Sequence, residues 1–275
     1  MHNLHVRMEV EHFSNSSIAN YMRSTKLLCT FSGKLPDELS EMEIYEFLLH
    51  LKNDLKLSRS TIRNYLQGLR FMYKSIYKRI DIIADVPYPK ATKFLPLIPT
   101  GKELLQLFNA AKSPKHRLLL KVIYSAGLRK SEIINLKIEH LDFKNHRIYI
   151  KDSKGNKDRY TVLAQSLIPE IQQYLQQFQP KEYLFNGRYK GKPYSDEAVK
   201  WGFQYALDRS GIEKHFTPHS LRHAFASHLL AMGVDIVSIQ KMMGHDDIRT
   251  TMVYLHINNN LKSNPLVSPL DRLQK

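Results

Sequence analysis

Thr217-Pro218-His219-Ser220-Leu221-Arg222-His223 reads as the opening of a helix. Thr217 supplies the capping oxygen, Pro218 takes the first helical position, where a missing N–H costs nothing, and Gly233 ends the segment. His219, Arg222, His223 and Ala226 recur at spacings of three and four, so two imidazoles and a guanidinium project from one face. The His219/His223 pair has a zinc-ligand spacing. No Glu follows the first His, however, and Arg222 sets a fixed cation between the two rings, so no metal is expected. Taken alone, the stripe describes an ordinary basic helix face as well as a binding one.

Downstream, Asp235 to Gly244 reads as one more helix, leading into Met243-Gly244-His245, with Tyr254 nine residues beyond that histidine. From His256 to Asn260 the helical pattern is broken, and Leu261, Leu266, Val267, Leu270 and Leu273 form an apolar set with no local core. Upstream, helices are expected at Ser195-Asp196-Glu197, closed by Gly211, and near Ser166. Before them the period changes. His146 to Lys151 and Asp158 to Leu163 are rich in β-branched and aromatic residues, and Asp152-Ser153-Lys154-Gly155-Asn156-Lys157 between them is turn chemistry, a β-hairpin with Lys154 at its tip. Earlier still, Thr100-Gly101-Lys102-Glu103 is a capping box. Helical stretches follow it to about Leu136 and include Gly127-Leu128-Arg129-Lys130-Ser131-Glu132.

Between Pro87 and Pro99 four prolines fall in 13 positions, which forbids a continuous helix and makes this segment a connector. The residues before it are helical. Ile18, Tyr21, Met22, Thr25 and Cys29 keep one apolar face, and Ile62, Leu66, Leu69, Met72 and Ile76 another. Ser40-Glu41-Met42-Glu43 is a capping box flanked by the Leu39/Ile44 staple. The last helix carries Arg59, Arg63, Arg70, Lys74 and Lys78, which reads equally as a solvated face and as a surface that grips DNA backbone. The organisation expected is 1–86, a helical domain; 87–99, the linker; 100–257, a mainly α domain with a small antiparallel hairpin; and 258–275, a tail.

At 275 residues the chain is long enough for two cores without staples. Lys and Arg number 41 against 26 Asp and Glu, a formal charge of +15, which favours a polyanionic partner. The excess sits mainly beyond the linker: 13 basic against 10 acidic residues up to Lys90, then 28 against 16. No apolar run approaches the ~18 residues of a membrane span, and the first residues lack a signal-peptide pattern. A single cysteine, Cys29, fits a reducing compartment, so a cytoplasmic protein with no membrane partner is expected.

Arg129 with Glu132, hairpin Lys154, His219 to Arg222 with His223, His245 and Tyr254, in this order and separation, resemble the tyrosine recombinase (phage integrase) family. The resemblance covers the whole chain, motif by motif over about 100–258 and in size and helical character before that. It implies a SAM-like N-terminal core-binding domain and a catalytic domain that together cleave and rejoin DNA through a 3′-phosphotyrosine and a Holliday junction. Neither metal nor ATP is implied. Double-stranded recombination sites are the implied partner, bound by a homotetramer whose protomers are monomeric or weakly associated when free.

The chemistry suits those residue types. Two guanidinium forks, Arg129 and Arg222, match a phosphate's non-bridging oxygens and stand in for a metal. Tyr254, with an ordinary pKa of about 10, needs its proton accepted, and His219 and His245 titrate near neutrality. The resemblance implies that His219 assists the tyrosine, His245 binds phosphate and Lys154 protonates the leaving 5′-oxygen. Lys157, three residues on, is the rival for that last role and is otherwise an expected DNA contact, and Ser153 stands where the family's turn has glycine. Glu132 and His223 are expected to support the site. The tail docks either on its own domain or, as the resemblance implies, on a neighbouring protomer. Its Ser268-Pro269-Leu270-Asp271 ending is closer to integron or transposon integrases than to Xer-type resolvases. Two other functions fit the fold: a non-catalytic DNA-binding protein, whose signature is loss of a catalytic residue, and a relaxing topoisomerase of the same chemistry.

Overall fold

The computed structural model describes residues 1–90, 96–153, 157–189 and 191–258, with the backbone alone described at 152, 153, 157 and 256–258. The chain divides into two compact units, Met1–Phe94 and Leu95–Lys275.

The first unit is all helical: α1 (His2–Val10), α2 (Asn15–Ser32), α3 (Glu41–Asn53), α4 (Arg59–Met72) and α5 (Asp81–Ala84). The Ser40/Glu43 capping box forms as read, with Glu43 Oε2 accepting the Ser40 N–H at 2.9 Å, and both staple residues, Leu39 and Ile44, are buried. α2 packs on α4, and Ile18, Leu28, Phe47, Leu66, Leu69 and Met72 lie in the common core. α1 has no counterpart in the sequence reading, because only Leu4 and Met8 of its nine residues face that core. The basic stripe is also interrupted. α4 stops at Met72, and a π-helical turn, Tyr73–Tyr77, carries Lys74 and ends at Lys78 in left-handed geometry.

The second unit contains α6 (Gly101–Ala110), α7 (Pro114–Ala126), α8 (Lys130–Ile134), a three-stranded antiparallel sheet, α9 (Ile168–Phe178), α10 (Asp196–Arg209), α11 (Pro218–Ala231), α12 (Ile236–Met243) and α13 (Ile248–Asn258). The sheet runs in the order β1 (Leu141–Asp142), β2 (Arg147–Ser153), β3 (Lys157–Val162). β2 and β3 are the expected hairpin, and β1 is too short to show a period in the sequence. Leu118, Leu119, Val122 and Ile123 of α7, Ile148 and Ile150 of β2, Phe203 of α10 and Leu221 of α11 share one core. A smaller cluster, Phe225, Ala226, Ile239, Met243 and Tyr254, joins α11, α12 and α13. The break expected at His256 is corrected: α13 continues to Asn258, packed along α11. Of the tail, residues 259–275 lie outside the described residues. Among the described residues no helix is long and apolar enough to cross a membrane.

Candidate active site

The site is built on two helix ends closed by glycine. α7 stops at Gly127, in left-handed geometry at φ 63°; Leu128 turns into the core, and Arg129 takes the capping position of α8. One turn on, Glu132 folds back so that Oε2 accepts the Arg129 backbone N–H at 2.7 Å and Oε1 accepts Arg129 Nη1 at 2.7 Å. α12 ends at Gly244, φ 61°, leaving its last carbonyls without helical partners.

Three arginines from three elements meet there. Arg159 of β3 donates from Nε to the Met242 carbonyl at 2.8 Å, Arg222 of α11 from Nη2 to the Met243 carbonyl, and Arg129 from Nη2 to the Gly244 carbonyl at 2.6 Å. Consecutive carbonyls at the electronegative end of α12 thus each take one guanidinium. Arg222, 1% exposed, also donates from Nη1 to the Gly127 carbonyl at 2.6 Å. One carboxylate serves all three. Arg159 reaches both Glu132 oxygens at 2.8 Å, and Arg222 Nη1 stands 3.6 Å from Oε2. Burial acts to raise the Glu132 pKa, but Arg159, the Arg129 N–H and Arg222 outweigh it and bring it down to about 2. Among the described residues three fixed cations stand around this carboxylate, a positive surplus suited to a phosphate.

Tyr254 lies against that cationic group, 2% exposed, with its hydroxyl 2.7 Å from His223 Nδ1. Burial pushes the phenol up to about 12, against the pull of Arg222. His223 is brought down to about 4 by burial, His219 and Arg222, so at neutral pH an unprotonated ring faces a protonated phenol. His219 stands edge-on to His223, ring centroids 4.4 Å apart, and its pKa is lowered by partial burial, Arg222 and Arg129. The sequence-level expectation gave the tyrosine to His219; the hydrogen bond belongs to His223. His245 directs Nδ1 to Thr251 Oγ1 at 2.8 Å, and burial together with Arg222 and Arg129 brings it down to about 4. Beside His219 opens a cleft of about 600 Å³ lined by Lys130, Lys200, Trp201, Gln204, Pro218 and others.

The fold thus brings together Arg129 and Glu132 at the start of α8, His219, Arg222 and His223 of α11, His245 of the turn after α12 and Tyr254 of α13. Lys154 lies outside the described residues, and of Lys157 only the backbone is described, paired with Ser153. In the first unit Arg59, Arg63, Lys74 and Lys78 are exposed, but Arg70 is turned inward. It donates from Nη2 to the Val86 and Ala84 carbonyls at 2.6 and 3.1 Å, and its guanidinium lies 4.3 Å from the Tyr88 ring centre. Arg70 therefore holds the start of the linker segment, which removes it from the expected DNA-facing set. Sequence reasoning passed over Arg159 and Thr251. The alternation of β3 carries a signal for Arg159, which shares the inward side of the strand with buried Thr161 and Leu163. An inward arginine needs an anion.

Residues 99–260 match the model of the phage integrase family, and residues 1–81 match that of the phage integrase N-terminal SAM-like domain. The chain is 36% identical over 254 residues to the integrase/recombinase-like protein y4qK of Sinorhizobium fredii, covering 92% of this chain and 82% of that one. It is 31% identical to a tyrosine recombinase of Pseudothermotoga lettingae, covering 91% of this chain and 90% of that protein. Among solved structures, lambda integrase (75–356), a dimer bound to a COC′ core site, superimposes with a TM-score of 0.75 at 18% identity, over 98% of this chain and 99% of that one.

Proposed function

The chain belongs to the phage integrase family and is a tyrosine-type site-specific recombinase, and we propose that Tyr254 is its nucleophile and Arg129 and Arg222 its phosphate clamp. The observation that carries this assignment is the buried Tyr254 hydroxyl, hydrogen-bonded to an unprotonated imidazole beside three guanidiniums that share one carboxylate. Tyr254 Oη bonds to phosphorus as the bond to the 5′-oxygen breaks. The phenolic proton passes to the His223/His219 pair, Arg129, Arg222 and His245 hold the non-bridging oxygens, and Lys154 protonates the departing oxygen. The 3′-phosphotyrosine keeps the energy of the broken bond, so a 5′-hydroxyl from a second duplex completes the exchange by attacking it.

On this reading 1–86 is a core DNA-binding domain, 87–99 a linker and 100–257 the catalytic domain, with 258–275 a tail that docks on a neighbouring protomer. A homotetramer acts on two double-stranded sites in the cytoplasm. The SAM-like match supports the core-binding domain, and the DNA-bound state of lambda integrase, which shares the fold, supports a DNA partner. The test is a labelled pool of nicked suicide duplexes with randomised flanks. Wild type is expected to form a covalent protein–DNA band and Tyr254→Phe none. A band from Tyr254→Phe overturns the nucleophile, and relaxation of supercoiled DNA without strand exchange overturns recombination in favour of resealing.

A further inference from the structure

Thr251 has no part in the chemistry as derived so far, yet it is 1% exposed and its hydroxyl is bonded to the Nδ1 atom of His245 at 2.8 Å. An imidazole that donates to a phosphoryl oxygen through Nε2 must carry its proton there and accept a hydrogen bond at Nδ1. A hydroxyl donating to Nδ1 fixes that tautomer and the angle of the ring. Thr251 also sits on α13, one turn before Tyr254. On the other side of His245, its carbonyl accepts from Gln240 Nε2 at 3.0 Å, which fixes the backbone but leaves the ring to Thr251. The nucleophile and the side chain that orients the phosphate-binding histidine are thus carried by a single helix.

We propose that Thr251 is a positioning residue that sets His245 for phosphate contact, so that seating α13 places His245 and Tyr254 together. The inference rests on the site reading above. It explains why a polar side chain is fully buried on α13, where a hydroxyl without a partner is costly. It also predicts that the hydroxyl, not the shape of the side chain, is what matters.

The test compares Thr251→Val, which keeps the volume, with Thr251→Ser, which keeps the hydroxyl, on a suicide duplex selected from the pool. Thr251→Val is expected to lower the single-turnover rate of covalent adduct formation about tenfold, the effect of one net hydrogen bond, with DNA affinity and melting temperature close to wild type. Thr251→Ser is expected to restore most of the rate. In a His245→Ala background Thr251→Val is expected to cost nothing further, because the residue through which it acts is gone. Wild-type rate in Thr251→Val, no recovery in Thr251→Ser, or losses that multiply in the double variant would each overturn the proposal. A wild-type protein that forms no adduct, like Tyr254→Phe, overturns instead the site reading on which the proposal stands.

Discussion

Glu132 accepts both terminal nitrogens of Arg159 at 2.8 Å, tying the strand that follows the Lys154 hairpin to the helix that follows Arg129. Because the same carboxylate also takes Arg129, it is the point at which α8, β3 and, through Arg222, α11 are held in register. Three arginines with no carboxylate between them would repel one another. Three carboxylates would cancel the field a phosphate needs. One carboxylate, helped by the carbonyls at the end of α12, fixes the guanidiniums and leaves them cationic.

Removing that carboxylate is therefore expected to be costly in stability as well as in catalysis. Glu132→Ala leaves buried guanidiniums uncompensated, and a loss of about 3–5 kcal/mol in urea unfolding is expected. Arg159→Met is milder, about 1–3 kcal/mol, since Glu132 keeps Arg129 and Arg222. Covalent adduct formation falls in both. Unfolding curves that match wild type for Glu132→Ala would show that Glu132 does not hold the cluster.

Gly244 offers a purely steric test. Its φ of 61° is strained for any residue with a side chain, and a Cβ there would stand 2.9 Å from Arg159 Cδ. Gly244→Ala is expected to lose about 1–2 kcal/mol from the backbone alone. By pushing Arg159 off the Met242 carbonyl it also lowers adduct formation. The corresponding change at Gly127 is harsher, because a Cβ would meet the Phe225 ring at 2.3 Å, and Gly127→Ala is expected to melt lower than Gly244→Ala. Calorimetry of the two variants ranks them.

Much of this was legible in the sequence. The helix from Thr217, the end at Gly244, the β2–β3 hairpin and the set Arg129, Arg222, His245 and Tyr254 all announce themselves by capping chemistry, period or order, whereas the stop at Gly127 inside the stretch read as helical to about Leu136 does not. What stayed hidden depends on distance along the chain. Arg159 finds Glu132 across 27 positions, and the alternation of β3 that points it inward does not name its partner. Arg70 looks like its neighbours on α4 until the chain turns back at Ala84 to Val86 and offers it carbonyls. His223 and His219 lie on one face, and only the path of α13 decides which of them meets the tyrosine.

That last point sets an enzymatic prediction. If His223 is the immediate acceptor of the Tyr254 proton, His223→Phe lowers the adduct-forming rate by about 10²–10⁴, the range of a lost general base, with DNA affinity nearly unchanged. His219→Phe is expected to be the lesser loss at that step. Single-turnover rates of the two variants on one suicide duplex measure the difference, and a larger loss in His219→Phe reverses the assignment.

Stability should depend on pH through the same histidines. His223 and His245 both titrate at about 4 in the folded chain against about 6.5 when unfolded. Between those values the unfolded state binds more protons, so folding free energy is unaffected by this pair above about pH 6.5 and is lost progressively as pH falls towards 4. For the pair the loss is of order a few kcal/mol. Glu132 adds a separate limb, since its folded value of about 2 makes its contribution disappear only as pH drops from the ordinary carboxylate range towards 2. Urea midpoints at pH 7.5 and pH 5 are expected to differ markedly in wild type and much less in a His223→Gln, His245→Gln double variant. Equal pH dependence in the two proteins would mean that these imidazoles are not held neutral by their burial and the cationic groups beside them.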